Sequence, residues 1–343
     1  MPAQLHDLTT LRLGGPIADL VVASTAAELV DAVRSADADA VPLLLVGGGS
    51  NLVAADEGWP GRVLLVRTRG RRVEADGADV LLTAAAGEPW DDLVAYTVAQ
   101  GWSGLETMSG IPGSTGATPV QNVGAYGAEI ADVLTGLTVL DRDSGEVRAW
   151  TPEQCRFGFR TSTFKHTDRY VIVDVTMRLT PRLTSVPLRY LELARRLGVA
   201  PGGSAPLADV RETVLDLRRE KGMVLDEADH DTWSVGSFFV NPLLSVVPDA
   251  ARDCPQWATD GAVKLSAAWL IEHAGFSRGF GVDHGRGTVS LSGKHALALT
   301  NRGGATTADL LSLARVIQAG VEARFGVRLV PEARLAPNLP AFR

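Results

Sequence analysis

Five short stretches of the chain hold residue types that can do chemistry. In LLLVGGGSN (43–51) an apolar run ends in Gly47, Gly48 and Gly49, followed by Ser50 and Asn51. Glycine accepts positive φ and lets backbone N–H groups converge on an anion. The run can therefore cradle a pyrophosphate, although a tight surface turn has the same composition. It is neither a GxxxxGK[ST] loop nor a GxGxxG turn opening a helix. The second stretch, SGIPGSTGATPVQNVGAYG (109–127), is long, uncharged and glycine-rich. A segment of that kind inside a compact domain is usually either functional or disordered, and Ile111, Val120 and Val123 argue for order. Two separated glycine-rich loops suit a ligand with two phosphates and a large ring system, a dinucleotide.

In CRFGFRTSTFK (155–165), Arg160 lies among aromatic and hydroxyl residues. A buried guanidinium is costly unless paired, so Arg160 should face a carboxylate of the protein or of a substrate. VGSFFVNP (235–242) sets Ser237 between Gly236 and two phenylalanines, without the GxSxG of a hydrolase elbow; a turn hydroxyl is the plain alternative. LVPEARL (329–335) sets Glu332 between apolar residues. Arg218, Arg219 and Lys221 could neutralise phosphates or form a solvated helix end. His6, His166, His230, His273, His284 and His295 are scattered, and no HExxH or CxxC occurs. No metal is expected.

These stretches need elements to hold them. Thr25–Ala36 has helical spacing with a capping box of Thr25 and Glu28. Val41–Val46 and Val63–Val66 read as strands, which makes a first βαβ unit ending near residue 70. Val80–Ala86, Leu134–Leu140 and Val171–Leu179 also read as strands. Helices are expected over Pro89–Gln100 (with Pro89 as the first helical residue), Leu188–Leu197, Ala208–Lys221, Ser266–His273 and Thr307–Phe325. The mixture lacks strict alternation and points to α+β domains.

The 343 residues allow two or three domains. With 33 basic and 40 acidic residues the net charge is −7, which argues against nucleic acid or an acidic membrane surface as partner. Two cysteines, Cys155 and Cys254, make no disulfide framework, so a reducing cytosol is expected. The N-terminal residues show no signal peptide. Thr107–Ala128 is uncharged, but its Gly, Pro, Ser and Asn content is unlike a membrane span.

Taken in order, VGGGSN (46–51), SGIPGSTGATPVQNVGAYG (109–127), FRTSTFK (159–165), GSFFVNP (236–242) and PEARL (331–335) resemble the UDP-N-acetylenolpyruvoylglucosamine reductases, the MurB flavoenzymes of peptidoglycan synthesis. The resemblance runs from about residue 10 to residue 335. It implies an α+β chain with a flavin-binding fold of the vanillyl-alcohol-oxidase type: a first subdomain over 1–70, to which the tail 328–343 returns, and a second over 71–207. A substrate-binding domain would span 208–327. Non-covalent FAD would be held by Gly47, Gly48, Gly49, Ser50, Asn51, Ser109, Gly110, Ile111, Pro112, Gly113, Ser114, Gly116, Ala117, Gly124, Ala125 and Tyr126. The resemblance puts the acid catalyst on Ser237 and the other catalytic roles on Arg160 and Glu332. Tyr190, Lys221 and Asn241 would hold the nucleotide-sugar diphosphate, with Arg218 a weaker transfer. Tyr190 falls in a segment like the extra one of the longer subtype, whose tyrosine closes over substrate.

The implied reaction uses NADPH, through FAD, to reduce an enolpyruvyl ether of a UDP-sugar to a lactyl ether, in a cytoplasmic monomer. Two departures stand out: Val240 replaces a common lysine, and Val330 replaces the usual glutamate two residues before Glu332. The rival readings are another FAD oxidoreductase of this fold acting on an alcohol, and a nucleotide-binding module without catalysis.

Overall fold

The computed structural model describes residues 3–259, 261–283 and 285–342; His284 lies outside the described residues. The chain forms two compact units: a larger one of Asp19–Gly48 and Pro60–Glu220, and a smaller one of Met1–Ala18, Gly49–Trp59 and Lys221–Arg343. The expected boundaries at 70/71 and 207/208 both fall inside the larger unit. Helix 207–220 stays there because Val210, Val214 and Leu217 share a core with Leu188 and Leu193.

In the larger unit, β1 (Ile17–Ala23), α1 (Ala26–Ala38), β2 (Leu43–Val46) and β3 (Trp59–Val66) build a three-stranded sheet ordered β1-β3-β2, with β2 and β3 parallel. The Thr25–Glu28 capping box is present: Glu28 N donates to Thr25 Oγ1 (3.2 Å) and Thr25 N to the Glu28 carboxylate (3.2 Å). Leu29, Val33 and Ala36 of α1 join Leu43, Leu64 and Val66 in one core.

The second sheet has the order β7-β6-β8-β5-β4, from β4 (Arg71–Asp76), β5 (Asp79–Ala85), β6 (Leu134–Asp141), β7 (Glu146–Trp150) and β8 (Tyr170–Pro181), all neighbours antiparallel. The long central strand β8 faces Leu137 and Ala84 with the same residue, Val175. The edge strands β4 and β7 carry no sequence expectation. Both are exposed along nearly their whole length, so neither bears the apolar alternation that marks a half-buried strand.

Helix α2 (Trp90–Ala99) begins one residue later than expected, with Pro89 as its N-cap. Helix α3 (Leu191–Arg196) is shorter than the expected 188–197. Leu188 is paired with the following loop instead: its N–H donates to Gly203 O (2.8 Å) and its carbonyl accepts from Gly202 N (2.8 Å). Helix α4 spans Leu207–Glu220.

The smaller unit is organised by α6 (Thr307–Phe325), which follows β9 (Gln256–Thr259), β10 (Ala262–Leu265), α5 (Ala267–His273), β11 (Val289–Leu291) and β12 (Leu299–Asn301). Leu310, Leu313, Ile317 and Val321 of α6 pack with Phe238, Phe239, Leu270 and Leu291. The tail returns as Arg334–Leu335, parallel to Leu52–Val53.

Candidate active site

In the larger unit the two glycine-rich loops lie against one another. A Cβ on Gly47 would stand 2.3 Å from Ser114 Oγ, and one on Gly48 would stand 2.5 Å from Gly113 Cα. At Gly48 the obstruction is backbone, so loop-on-loop packing requires glycine there; at Gly47 it is a rotatable hydroxyl. Arg67 donates to the Gly47 carbonyl (2.9 Å) and fixes the end of β2. The N–H groups of Gly48 and Gly113 take no partner among the described residues. Other expected cofactor residues face the protein. Ser109 is fully buried and donates its hydroxyl to Glu106 O (2.7 Å). Gly110 N is held by Asp91 Oδ1 (2.6 Å), and a Cβ on Gly116 would meet Ala86 at 2.5 Å. Pro112 and Ala117 are exposed, while Ile111 is half-buried against the core.

Four non-glycine residues with positive φ, Asn122 (46°), Tyr126 (51°), Arg156 (47°) and Arg160 (51°), come from the second and third motifs. Gly158 and Thr161 pair around a two-residue turn whose second member is Arg160. Its Nη2 donates to Gly124 O (2.7 Å) and its Nη1 to Asn122 O (3.3 Å), while Lys165 Nζ donates to the Arg160 carbonyl (2.6 Å). Two loop carbonyls thus brace the guanidinium from the glycine-rich side. Gly124 and Ala125 form a short hairpin with Ala128–Glu129.

Tyr126 meets Tyr190 edge-to-face, with ring centroids 5.2 Å apart. Burial pushes the Tyr126 hydroxyl up to about 12, against the opposing pull of Arg218. Tyr190, at the N-cap of α3, is 39% exposed. Arg218 is half-buried on α4, and burial lowers its pKa below the ordinary arginine value against the pull of Tyr126 and Asp91. Asp91 anchors α4 to α2 through a bidentate pair with Arg211 (2.7 and 2.8 Å).

In the smaller unit, Gly49 has φ +64°, and a Cβ there would stand 1.9 Å from Leu8 O. Ser50 is half-buried, and the Asn51 carbonyl accepts from Arg334 N (2.9 Å). Ser237 and Glu332 lie on two segments that pair antiparallel. Phe239 faces Pro331, Glu332 N donates to Phe238 O (2.8 Å), and Val240 N donates to Val330 O (3.0 Å). Ser237 is therefore next in chain to the residue that faces Glu332, and both are half-buried. The two departures, Val240 and Val330, face one another in this pairing. Asn241 Oδ1 accepts from Ala267 N (2.9 Å) at the start of α5, which commits that oxygen to the fold. Lys221 is half-buried immediately after α4.

The structure thus brings together Gly47, Gly48, Gly113 and Ser114 in one unit, and the segments that carry Ser237 and Glu332 in the other. Asn122 and Glu129 were not singled out by sequence reasoning. The available signal was an Asn inside the glycine-rich motif, since Asn is among the few residues that tolerate the left-handed region. An uncharged double edge of backbone with N–H groups at Gly48 and Gly113 fits a pyrophosphate, and the backbone-lined loops fit a flavin dinucleotide.

Residues 17–150 match the family profile described as FAD binding domain, and residues 227–336 match UDP-N-acetylenolpyruvoylglucosamine reductase, C-terminal domain. The UDP-N-acetylenolpyruvoylglucosamine reductase of Saccharopolyspora erythraea is 54% identical over 338 residues, covering 94% of this chain and 92% of that one. The protein of the same name from Salinispora arenicola is 53% identical, covering 96% and 93%. The crystal structure of the Thermus caldophilus reductase aligns with a TM-score of 0.67 at 26% identity over 98% of both chains. These matches bear out the flavin-binding fold joined to a C-terminal substrate domain. The chain belongs to the UDP-N-acetylenolpyruvoylglucosamine reductase (MurB) family.

Proposed function

We propose that Arg160, Ser237 and Glu332 carry the second half of an NADPH-dependent, FAD-mediated reduction, which converts the enolpyruvyl ether of UDP-N-acetylglucosamine into UDP-N-acetylmuramate for peptidoglycan. Bound FAD supplies the hydride chemistry that side chains lack. Gly48 and Gly113, with their neighbours in the two loops, hold its pyrophosphate by backbone N–H groups.

Adding hydride to the terminal enolpyruvyl carbon drives negative charge onto the substrate carboxylate as an enediolate. Arg160 stabilises that charge by charge-assisted hydrogen bonds. Glu332, in its protonated form, donates another. Ser237 then gives its proton to the carbon beside the carboxylate, completing the lactyl ether. A serine hydroxyl is a weak acid; it serves because the enediolate carbon is strongly basic and nearby cations favour the alkoxide left behind. Tyr190, Arg218, Lys221 and Asn241 bind the sugar diphosphate, with Tyr190 closing over it. Both NADPH and the sugar nucleotide carry phosphates, so a ping-pong sequence in one pocket follows. A cytoplasmic monomer is the expected form; no helix among the described residues is long and apolar enough to cross a membrane.

The observation that supports this reading best is the antiparallel pairing of 238–240 with 330–332, which keeps the segments that bear Ser237 and Glu332 side by side. The test is the visible spectrum of the purified protein. NADPH should bleach a yellow flavin band, and the enolpyruvyl sugar nucleotide should restore it. Recovery with an alcohol-derived acceptor in place of that substrate would favour the rival oxidoreductase reading. Denaturation should release all the flavin; flavin left on the polypeptide would contradict non-covalent binding.

A further inference from the structure

The contacts of Asn122 form a small frame around Arg160. Asn122 is 1% exposed, so its side-chain amide has no water to turn to. Its Nδ2 donates to Glu129 Oε2 (2.7 Å) and to Gly158 O (3.2 Å), and its Oδ1 accepts from Ala131 N (3.2 Å). One amide thus ties the second strand of the glycine hairpin to the turn that carries Arg160. The backbone carbonyls of Asn122 and Gly124, on the same loop, take the two guanidinium nitrogens.

The geometry also accounts for strain. Arg160 is the second residue of a two-residue turn at φ +51°, where a positive φ favours Gly or Asn. A non-glycine residue there is strained and persists only where its surroundings over-determine it. Asn122 supplies the turn's anchor at Gly158 and the carbonyl rail for the guanidinium. Glu129 holds the Asn122 amide in the one orientation that does both, because a carboxylate accepts only from the NH2 end.

We propose that Asn122, oriented by Glu129, is a positioning residue that aims the Arg160 guanidinium at the substrate carboxylate. The proposal rests on the role given to Arg160 above. Misplacing a catalytic group by about 1 Å can cost ~10²-fold in rate, so the frame acts on the chemical step and much less on binding.

The test uses holoenzyme and stopped-flow measurement of the two half-reactions, flavin reduction by NADPH and reoxidation by the enolpyruvyl substrate. Asn122→Gly keeps the left-handed backbone, which glycine adopts freely, and removes the ties. It should slow reoxidation at saturating substrate by roughly 10–100-fold, with substrate affinity within about threefold and flavin reduction unchanged. Glu129→Ala is the second variant and should slow the same step; Glu129→Gln should restore most of it, since its Oε1 can still accept from Asn122 Nδ2. Adding Asn122→Gly to Arg160→Ala should change nothing further. Equal slowing of both half-reactions, or loss of flavin affinity in step with the rate, would make Asn122 purely structural and overturn the proposal. So would an additive effect in the Arg160→Ala background. Arg160→Ala reoxidising at the normal rate would instead sink the role given to Arg160, and this inference with it.

Discussion

Arg160 stands at φ +51° in a turn braced by loop carbonyls, whereas Ser237 follows Gly236 into an extended segment paired with 330–332 over a phenylalanine core. The first region, 109–127 with 155–165, holds its shape by local polar bonds and left-handed residues. Its core anchors are few: Cys155 and Phe164 are buried, and Ile111, Val120 and Phe157 pack beside them. The second draws its shape from burial: Phe238 is 0% and Phe239 1% exposed, and the backbone bonds to 330–332 follow from that packing. A cation that must meet a delocalised anion is aimed by many hydrogen bonds. A proton donor that needs only a fixed point can ride on a packed strand. The two regions should therefore fail differently when changed.

The largest effect should come from the packed region. Phe238→Ala removes a fully buried ring and should lower global stability by about 3–5 kcal/mol, read as a fall in the denaturant midpoint. A loss below about 1 kcal/mol would mean that pairing, and not burial, sets the Ser237 segment. In the polar region, Gly48→Ala forces a Cβ to 2.5 Å from Gly113 Cα. The loops must part, and FAD titration of the apoprotein should show affinity falling by roughly tenfold or more, the worth of about 1.4 kcal/mol. Unchanged affinity would show that the loop junction does not carry the pyrophosphate.

A smaller effect concerns pH. Burial would raise the Asp91 pKa, but the hydrogen bonds from Arg211 and Gly110 N–H outweigh it, so the carboxyl sits below the usual aspartate value. A depressed folded pKa means that the contribution is complete above the unfolded value near 3.9 and is lost as pH falls through the folded value. Asp91 is 35% exposed and Arg211 15%, so solvent screening leaves about 1 kcal/mol. Asp91→Asn should lower the Tm at pH 7 and shrink the gap to wild type below pH 4; a constant gap at every pH would refute the linkage. Smallest is Tyr190→Phe. It should weaken sugar-nucleotide binding by about threefold, within the range of one hydrogen bond, with Tm unchanged. A large Tm loss with normal affinity would make Tyr190 a core residue.

What was legible in the sequence follows the same division. Helices α1 and α6 could be read because capping residues and apolar spacing agree at both. Glu332 and Ser237 were found by motif, but their pairing was not, since contacts across nearly a hundred residues leave no periodic trace. The edge strands β4 and β7 were missed because neither buries a face. The glycines also serve the fold, which the sequence does not reveal: a Cβ on Gly48, Gly49 or Gly116 would stand under 3 Å from protein backbone. The bonds from Arg160 to the carbonyls of Asn122 and Gly124 left no trace either, because a backbone carbonyl is a group that every residue has and no motif marks.

Ser237 is proposed to supply the proton in the second half-reaction alone. Rapid-mixing spectroscopy of Ser237→Ala tests it most directly. NADPH should bleach the flavin at close to the wild-type rate, while reoxidation by the enolpyruvyl substrate should slow by ~10²–10⁴-fold, the usual cost of losing a general acid. Ser237→Cys should recover part of that rate. Reduction slowed as much as reoxidation, or reoxidation left at the normal rate, would contradict the account.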